Sequence, residues 1–230
     1  MARGWRLLIL TACLATVAPQ VVSAQVYIGG GFPRGGSVEL GGGGAWVQGF
    51  EIESPTAQLS RATGAQRFDL FSTDADVQRF TGAHLRAGVY LTSSISVEGG
   101  VRYATPAMSI RLSGDVESAE ETVATQTLSH YVFDGSVLLH FNGAAFAGGR
   151  GVPFVSVGGG QVRELHEGRE LVETGRAVHG TAGLKYWLGT GRRRVGLRAE
   201  IGVVSRTGAA DSDDSGRVLP MALGGLTFLF

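Results

Sequence analysis

Eight stretches of this chain alternate apolar and polar side chains with a period of two, a pattern that specifies half-buried strands. SVELGGGGAWVQ (37–48) sets Val38, Leu40 and Trp46 against Glu39. GAHLRAGVYL (82–91) sets Leu85, Ala87, Val89 and Leu91 against His84 and Arg86. ISVEGGVRY (95–103) sets Ile95, Val97, Val101 and Tyr103 against Glu98 and Arg102. HYVFDGSVLLHF (130–141) sets Tyr131, Phe133, Val137, Leu139 and Phe141 against His130, Asp134 and His140. PFVSVGGGQV (153–162) alternates Val155 and Val157 with Ser156. RAVHGTAGLKYWL (176–188) sets Val178, Leu184, Tyr186 and Leu188 against His179 and Lys185. VGLRAEIGV (195–203) sets Val195, Leu197, Ala199 and Ile201 against Arg198 and Glu200. The last, LPMALGGLTFLF (219–230), gathers Ala222, Leu226, Phe228 and Phe230 on one face.

The connections between these segments alternate in length. TSS (92–94), NGAAFAGGRGV (142–152) and GTGRRR (189–194) are the tighter ones. The others, roughly 51–76, 113–124, 163–174 and 206–217, are polar and acidic and are expected to be outer loops. Short turns alternating with long polar loops are the signature of an up-and-down β-barrel whose ends face different compartments. The pattern predicts a single all-β domain, an eight-stranded antiparallel transmembrane barrel closed by its first and last strands.

Which face looks inward follows from the charges. One face carries Glu39, Arg86, Glu98, Arg102, Asp134, Lys185, Arg198 and Glu200, four acids and four bases spread among glycines. Gly is abundant at 37 residues and charged residues make up only 17% of the chain, sparse for a water-facing surface. Small residues with self-neutralising charges suit a sealed interior, and eight strands leave a lumen that side chains can fill. The other face is aliphatic and aromatic and suits lipid. A soluble secreted barrel or sandwich would reverse the faces. Lys plus Arg is 20 and Asp plus Glu is 20, so the chain lacks the basic excess of a nucleic-acid binder.

The N-terminus reads as a secretory signal: a basic start, MARGWR, an apolar core, LLILTACLATVA, and small residues before a cleavage site at Ala24. Residues 1–24 are expected to be removed and 25–230 to form the mature barrel. The only cysteine, Cys13, falls inside that signal. LTAC (10–13) also fits a lipoprotein box, which would place a lipid on Cys13; the better-placed site at Ala24 leaves a mature chain without cysteine. After residue 24 there is no 20-residue apolar run for a membrane helix.

With these features the chain resembles the small outer-membrane β-barrels of Gram-negative bacteria, the OmpA, OmpX and OmpW-like group. The carriers are YLTSSISVEGGVRY (90–103), similar to the family's short periplasmic turn, and GVPFVSVGGG (151–160), similar to the opening of its fifth strand. KYWLGTGRRRVGLRAEIG (185–202) is similar to its turn between strands six and seven, and the last strand ends in Phe with alternate apolar positions. The resemblance covers nearly all of 26–230. It implies the outer membrane as location, with both termini in the periplasm. It also implies lipid and lipopolysaccharide as surroundings, and Leu226, Phe228 and Phe230 as the address read by the barrel insertion machinery.

Family members differ in function, so the leading expectation is general: a monomeric structural or surface-interaction barrel with a plugged lumen. Its four outer loops would be available to host or cell-surface ligands. A porin-like alternative is a narrow OmpW-like channel for small apolar solutes. A second is a lipid A-modifying enzyme. The deacylase string of the family, HxSNA-like, is absent, and the adjacent Ser129 and His130 point to opposite faces of a strand. His166 lies in an outer loop, where the palmitoyltransferase barrels carry their His. The reading is therefore a non-enzyme with no cofactor. DSDDSG (211–216) opens like a calcium loop, but Ala222 stands where the twelfth-position glutamate belongs, so no specific metal site is expected. GRRR (191–194) puts three bases within reach of phospholipid headgroups or anionic polymers, although a tight basic turn needs no partner. The third and fourth strands, from Ile95 to Leu112 and from Thr122 to Phe141, exceed the membrane's needs. They suggest a protruding two-stranded edge, with Pro106 at an edge or bulge and strand addition as its binding mode.

Overall fold

The computed structural model describes residues 31–52, 56–60, 67–113, 122–165, 172–208 and 217–230. The expected signal with Ala24 and Cys13, the loop residue His166, and DSDDSG (211–216) lie outside the described residues. In chain order the strands are β1 (Val38–Val47), β2 (Phe50–Ile52), β3 (Thr56–Ser60), β4 (Arg67–Val77), β5 (Phe80–Tyr90), β6 (Ile95–Ala104), β7 (Ala107–Ser113), β8 (Thr122–Thr127), β9 (Ser129–His140), β10 (Gly151–Leu165), β11 (Val172–Trp187), β12 (Arg194–Gly208) and β13 (Arg217–Leu229). Among the described residues the one helical element is a 3-10 turn, Asn142–Ala144.

Eight strands form a closed antiparallel barrel in the order β1-β13-β12-β11-β10-β9-β6-β5, with β5 returning to β1. Each neighbour is also the next barrel strand along the chain, so the barrel is up-and-down, as the alternation predicts. At the closing seam Glu39 faces Leu229 and Val47 faces Met221, so the first and last strands leave no barrel edge. The strands approach so closely there that a Cβ on Gly43 would collide with the backbone of Gly224 and Gly225, so the position admits only glycine.

Side-chain parity follows the alternation. Leu85 is 65% exposed and Ile201 71%, while their neighbours His84 and Glu200 are buried inside. The apolar side chains thus face outward and the charges inward, the reverse of a soluble β-protein. Outward aromatics gather towards the two ends. Trp46, Tyr103, Tyr131 and Phe133 lie towards the loop end, where the Tyr103 and Tyr131 rings are 4.9 Å apart. Phe141, Phe146, Tyr186, Phe228 and Phe230 mark the end with the tight turns.

The segment 51–76 departs from expectation. It contains β2, β3 and β4 rather than a loop, and these join β7 and β8 in a five-stranded sheet beyond the barrel mouth. The expected two-stranded edge is therefore broader, because the first and second barrel strands extend as well as the third and fourth. Its polarity hid it: a strand standing in water needs backbone partners, not an apolar face. The other expected loops are also shorter, since 163–165, 172–174 and 206–208 continue β10, β11 and β12.

The four strands leaving the barrel here break at one level: Gln48–Gly49, Gln78–Arg79, Thr105–Pro106 and Leu128. Backbone bonds cross this line from Gln78 N–H to Ala107 C=O and from Leu128 N–H to Pro106 C=O, both 3.0 Å, so the sheet bends without coming apart. Gly49 makes the bend possible: a Cβ would sit 2.5 Å from both the Val77 carbonyl oxygen and the Arg79 nitrogen. The bend turns Phe50, Val77, Phe80, Met108 and Leu128 inward over the loop end of the lumen.

Candidate functional site

Among the described residues, charge is concentrated away from water in the lumen. Inward positions of β1, β5, β6, β9, β11 and β12 supply all eight residues singled out by the alternation. Six of them meet in one network. Lys185 Nζ donates to Glu39 Oε2 at 2.7 Å and to Glu98 Oε1 at 3.5 Å. Arg198 donates from Nη1 to Glu98 at 2.7 Å and from Nε to Glu200 at 2.8 Å, and its Nη1 is 3.6 Å from Glu39. Arg86 Nη1 donates to Glu200 at 2.5 Å and lies 3.8 Å from Glu98. Three carboxylates and three cations thus cancel inside the barrel. The remaining two, Arg102 and Asp134, form a separate pair at 2.9 Å nearer the loop end.

Hydroxyls complete the network. Glu39 also accepts from Tyr90 at 2.9 Å and from Thr227 at 2.6 Å. Thr181 donates to Glu200 at 2.8 Å and shares a 2.6 Å bond with Ser156. Buried carboxylates are tolerated only when their lone pairs are occupied in this way. Space comes from glycine. A Cβ on Gly183 would meet the Phe154 ring at 2.5 Å and Glu200 Cγ at 2.8 Å.

Towards the turn end an aromatic floor underlies the charges. Tyr90, Val152, Trp187 and Leu229 form a buried cluster with Phe32 and Ala145 against it. Lys185 Nζ lies 5.3 Å from the Tyr90 ring centre and 5.4 Å from that of Phe154, and the Arg194 guanidinium stacks 4.6 Å over Trp187. These aromatics share the inward parity of the charges, so reading that face as charged and small overlooks them. Towards the loop end apolar side chains join the lining, with Val132, Val162, Val204, Leu219 and Met221 in the cluster that the bent sheet covers.

Between these layers a cavity of about 20 Å³ is bordered by His84, Arg86, Arg102, Asp134, His179 and Glu200. That volume accommodates about one water molecule. His84 Nδ1 and His179 Nδ1 are buried there without a protein partner, the environment a single ordered water would satisfy.

The structure also assembles groups not linked by the sequence. Ser96 and His140 share a 3.0 Å hydrogen bond, and Ser136 and His179 one of 3.1 Å. Both are cross-strand pairs enclosed in the lumen. His130 contacts Glu164 at 2.9 Å, and Arg206 donates to the same carboxylate at 2.5 Å. Glu164 and Arg206 fall in stretches expected to be outer loops. The available signal was parity: each continues the inward phase of its strand, two residues beyond buried Val162 and Val204. On the outside, Leu226, Phe228 and Phe230 are exposed along the last strand.

No protein-family model matches the sequence, and no curated protein matches it. Among solved structures, the chain is similar to the outer membrane protein OprG from Pseudomonas aeruginosa, with 13% identity and a TM-score of 0.52 over 86% of this chain and 98% of OprG. It is also similar to the outer membrane protein AlkL, solved in DMPC lipid bilayers by solid-state NMR, with 15% identity and a TM-score of 0.37 over 87% of this chain and 92% of AlkL. The likeness to OprG is one of fold: the chain has the architecture of the small outer-membrane β-barrels.

Proposed function

We propose that this protein resides in the bacterial outer membrane as a barrel closed by its own side chains, with a structural or surface-interaction role. The loop-end sheet and its connections would be the surface offered to partners. The observation that carries the closed lumen is the network of Glu39, Arg86, Glu98, Lys185, Arg198 and Glu200, which crosses the interior beside a void of about 20 Å³. A permeating ion or solute would have to break several desolvated pairs at once. The exterior supports the membrane reading. Tyr131 and Phe141 stand ten residues apart, Tyr131 on the outside of β9 and Phe141 just past its end. At about 3.3 Å per residue and a tilt near 40°, that separates the aromatic belts by about 25 Å, the height of the apolar band of such barrels. Planar-bilayer recording tests the closed lumen. Wild-type protein is expected to give no steady, large single-channel currents, and their appearance would overturn it.

A second reading, a narrow conduit for small apolar solutes, is favoured by the apolar lining at the loop end of the lumen. The ionic layer beneath, the Arg102–Asp134 pair and the buried His130, Glu164 and Arg206 interrupt that lining. Under this reading, protein inserted in vesicles accelerates entry of a small apolar solute without conducting ions.

A further inference from the structure

We infer that the turn end of the barrel retains one anionic phospholipid, its phosphate at Arg150 and an acyl chain in a groove on the outside of β11, β12 and β13. The inference rests on the outer-membrane reading. The groove measures about 500 Å³ and is lined by Phe146, Leu184, Tyr186, Leu197, Ala199 and Leu226. Ala199, outward-facing and opposite Gly224 on the next strand, leaves a trough between larger side chains.

The turn from β9 to β10 crowns this groove. Phe146 and Gly151 exchange backbone bonds of 3.0 and 3.1 Å, and Ala147, Gly148 and Gly149 all adopt positive φ (49°, 77° and 75°). This tight reversal puts Phe146 on the groove wall and Arg150 at its head. Arg150 Nε donates to the Ala147 carbonyl at 3.1 Å, and the guanidinium lies 5.5 Å over the Tyr186 ring. An acyl chain along Tyr186 therefore carries its headgroup to a fixed cation.

Charge complementarity identifies the headgroup. The turn-end segments 31–37, 91–95, 141–151 and 188–194 contain Arg34, Arg150, Arg192, Arg193 and Arg194 and not one Asp or Glu. The expected outer loops are rich in acids. A phosphodiester with net negative charge suits the turn end, and a zwitterionic headgroup gains less, because its own cation faces the same arginines.

Native mass spectrometry of the barrel, refolded in detergent and mixed with either phosphatidylglycerol or phosphatidylethanolamine, tests this. One retained phosphatidylglycerol per barrel is expected, with phosphatidylethanolamine retained less. Arg150→Gln should lower retention about fivefold, corresponding to the ~1 kcal/mol of one Arg beside anionic headgroups. Ala199→Phe, which fills the trough, should lower it similarly, and Arg79→Gln at the loop end should not. Equal retention of both lipids, or equal behaviour of Arg150→Gln and Arg79→Gln, overturns the inference. If Ala199→Phe misfolds, Arg150→Gln at its exposed turn decides alone. A heat-modifiable gel shift and vesicle insertion are measured on the same samples. A chain that does not insert overturns both the membrane reading and the inference, whereas one that inserts without headgroup preference overturns the inference only.

Discussion

Lys185 is the only lysine in the chain and is fully buried, at 0% exposure. Replacing it with Met keeps most of the stem volume and removes the charge. Its attraction to Glu39 at 2.7 Å is about 6 kcal/mol at an effective dielectric near 20. Burying the two ions costs several kcal/mol each, so the intact pair is close to balance. The single substitution removes the attraction and leaves the desolvation of Glu39 in place. That carboxylate then keeps only the Thr227 and Tyr90 hydroxyls and Arg198 at 3.6 Å, and the six-residue network becomes net negative. Lys185→Met is therefore expected to cost about 3–5 kcal/mol. Urea unfolding of the barrel in phospholipid vesicles, followed by the fluorescence of Trp46 and the buried Trp187, measures it. Combining Lys185→Met with Glu39→Gln should recover most of the loss, because an amide oxygen still accepts from Thr227 while no charge remains unpaired. A single-mutant loss below ~1 kcal/mol, or a double mutant no more stable than the single, would refute the argument that these charges depend on one another.

Two further outcomes follow from packing and from the last strand. Gly183→Val should reduce the folded fraction on an unheated gel by at least the ~1–3 kcal/mol of an overpacked core, because the Ala199 carbonyl, 2.6 Å from the new Cβ, belongs to the backbone. Gly180→Ala, with its nearest atom at 3.9 Å on the outer face, should be silent in the same assay. Removing Phe230 should lower outer-membrane levels in cells while refolding in detergent stays near wild type, since its half-exposed ring adds little to the interior. Normal cellular levels would count against its role as an insertion address.

The barrel was legible because a strand's side chains alternate strictly, and eight segments keep that alternation without slippage. Parity alone places Glu39, Arg86, Glu98, Arg102, Asp134, Lys185, Arg198 and Glu200 on the inside and Leu226, Phe228 and Phe230 on the outside. It fails where polarity is the only guide. β2, β3 and β4 looked like loop because both faces of an extension in water can be polar. Glu164 and Arg206 looked like loop because nearby acidic residues masked the continued phase of β10 and β12.

The sequence by itself determined the number of barrel strands, the facing of each and the balance of the eight charges at its centre, all local properties of composition and period. Only the closed tertiary structure decided which charges meet. Glu39 and Lys185 lie 146 positions apart in the chain, Arg86 and Glu200 lie 114 apart, and Glu39 and Thr227 lie 188 apart. Their encounter depends on the stagger of hydrogen-bond register around the barrel, which sets the height of every inward side chain. That stagger is a property of the closed ring and is written in no single strand.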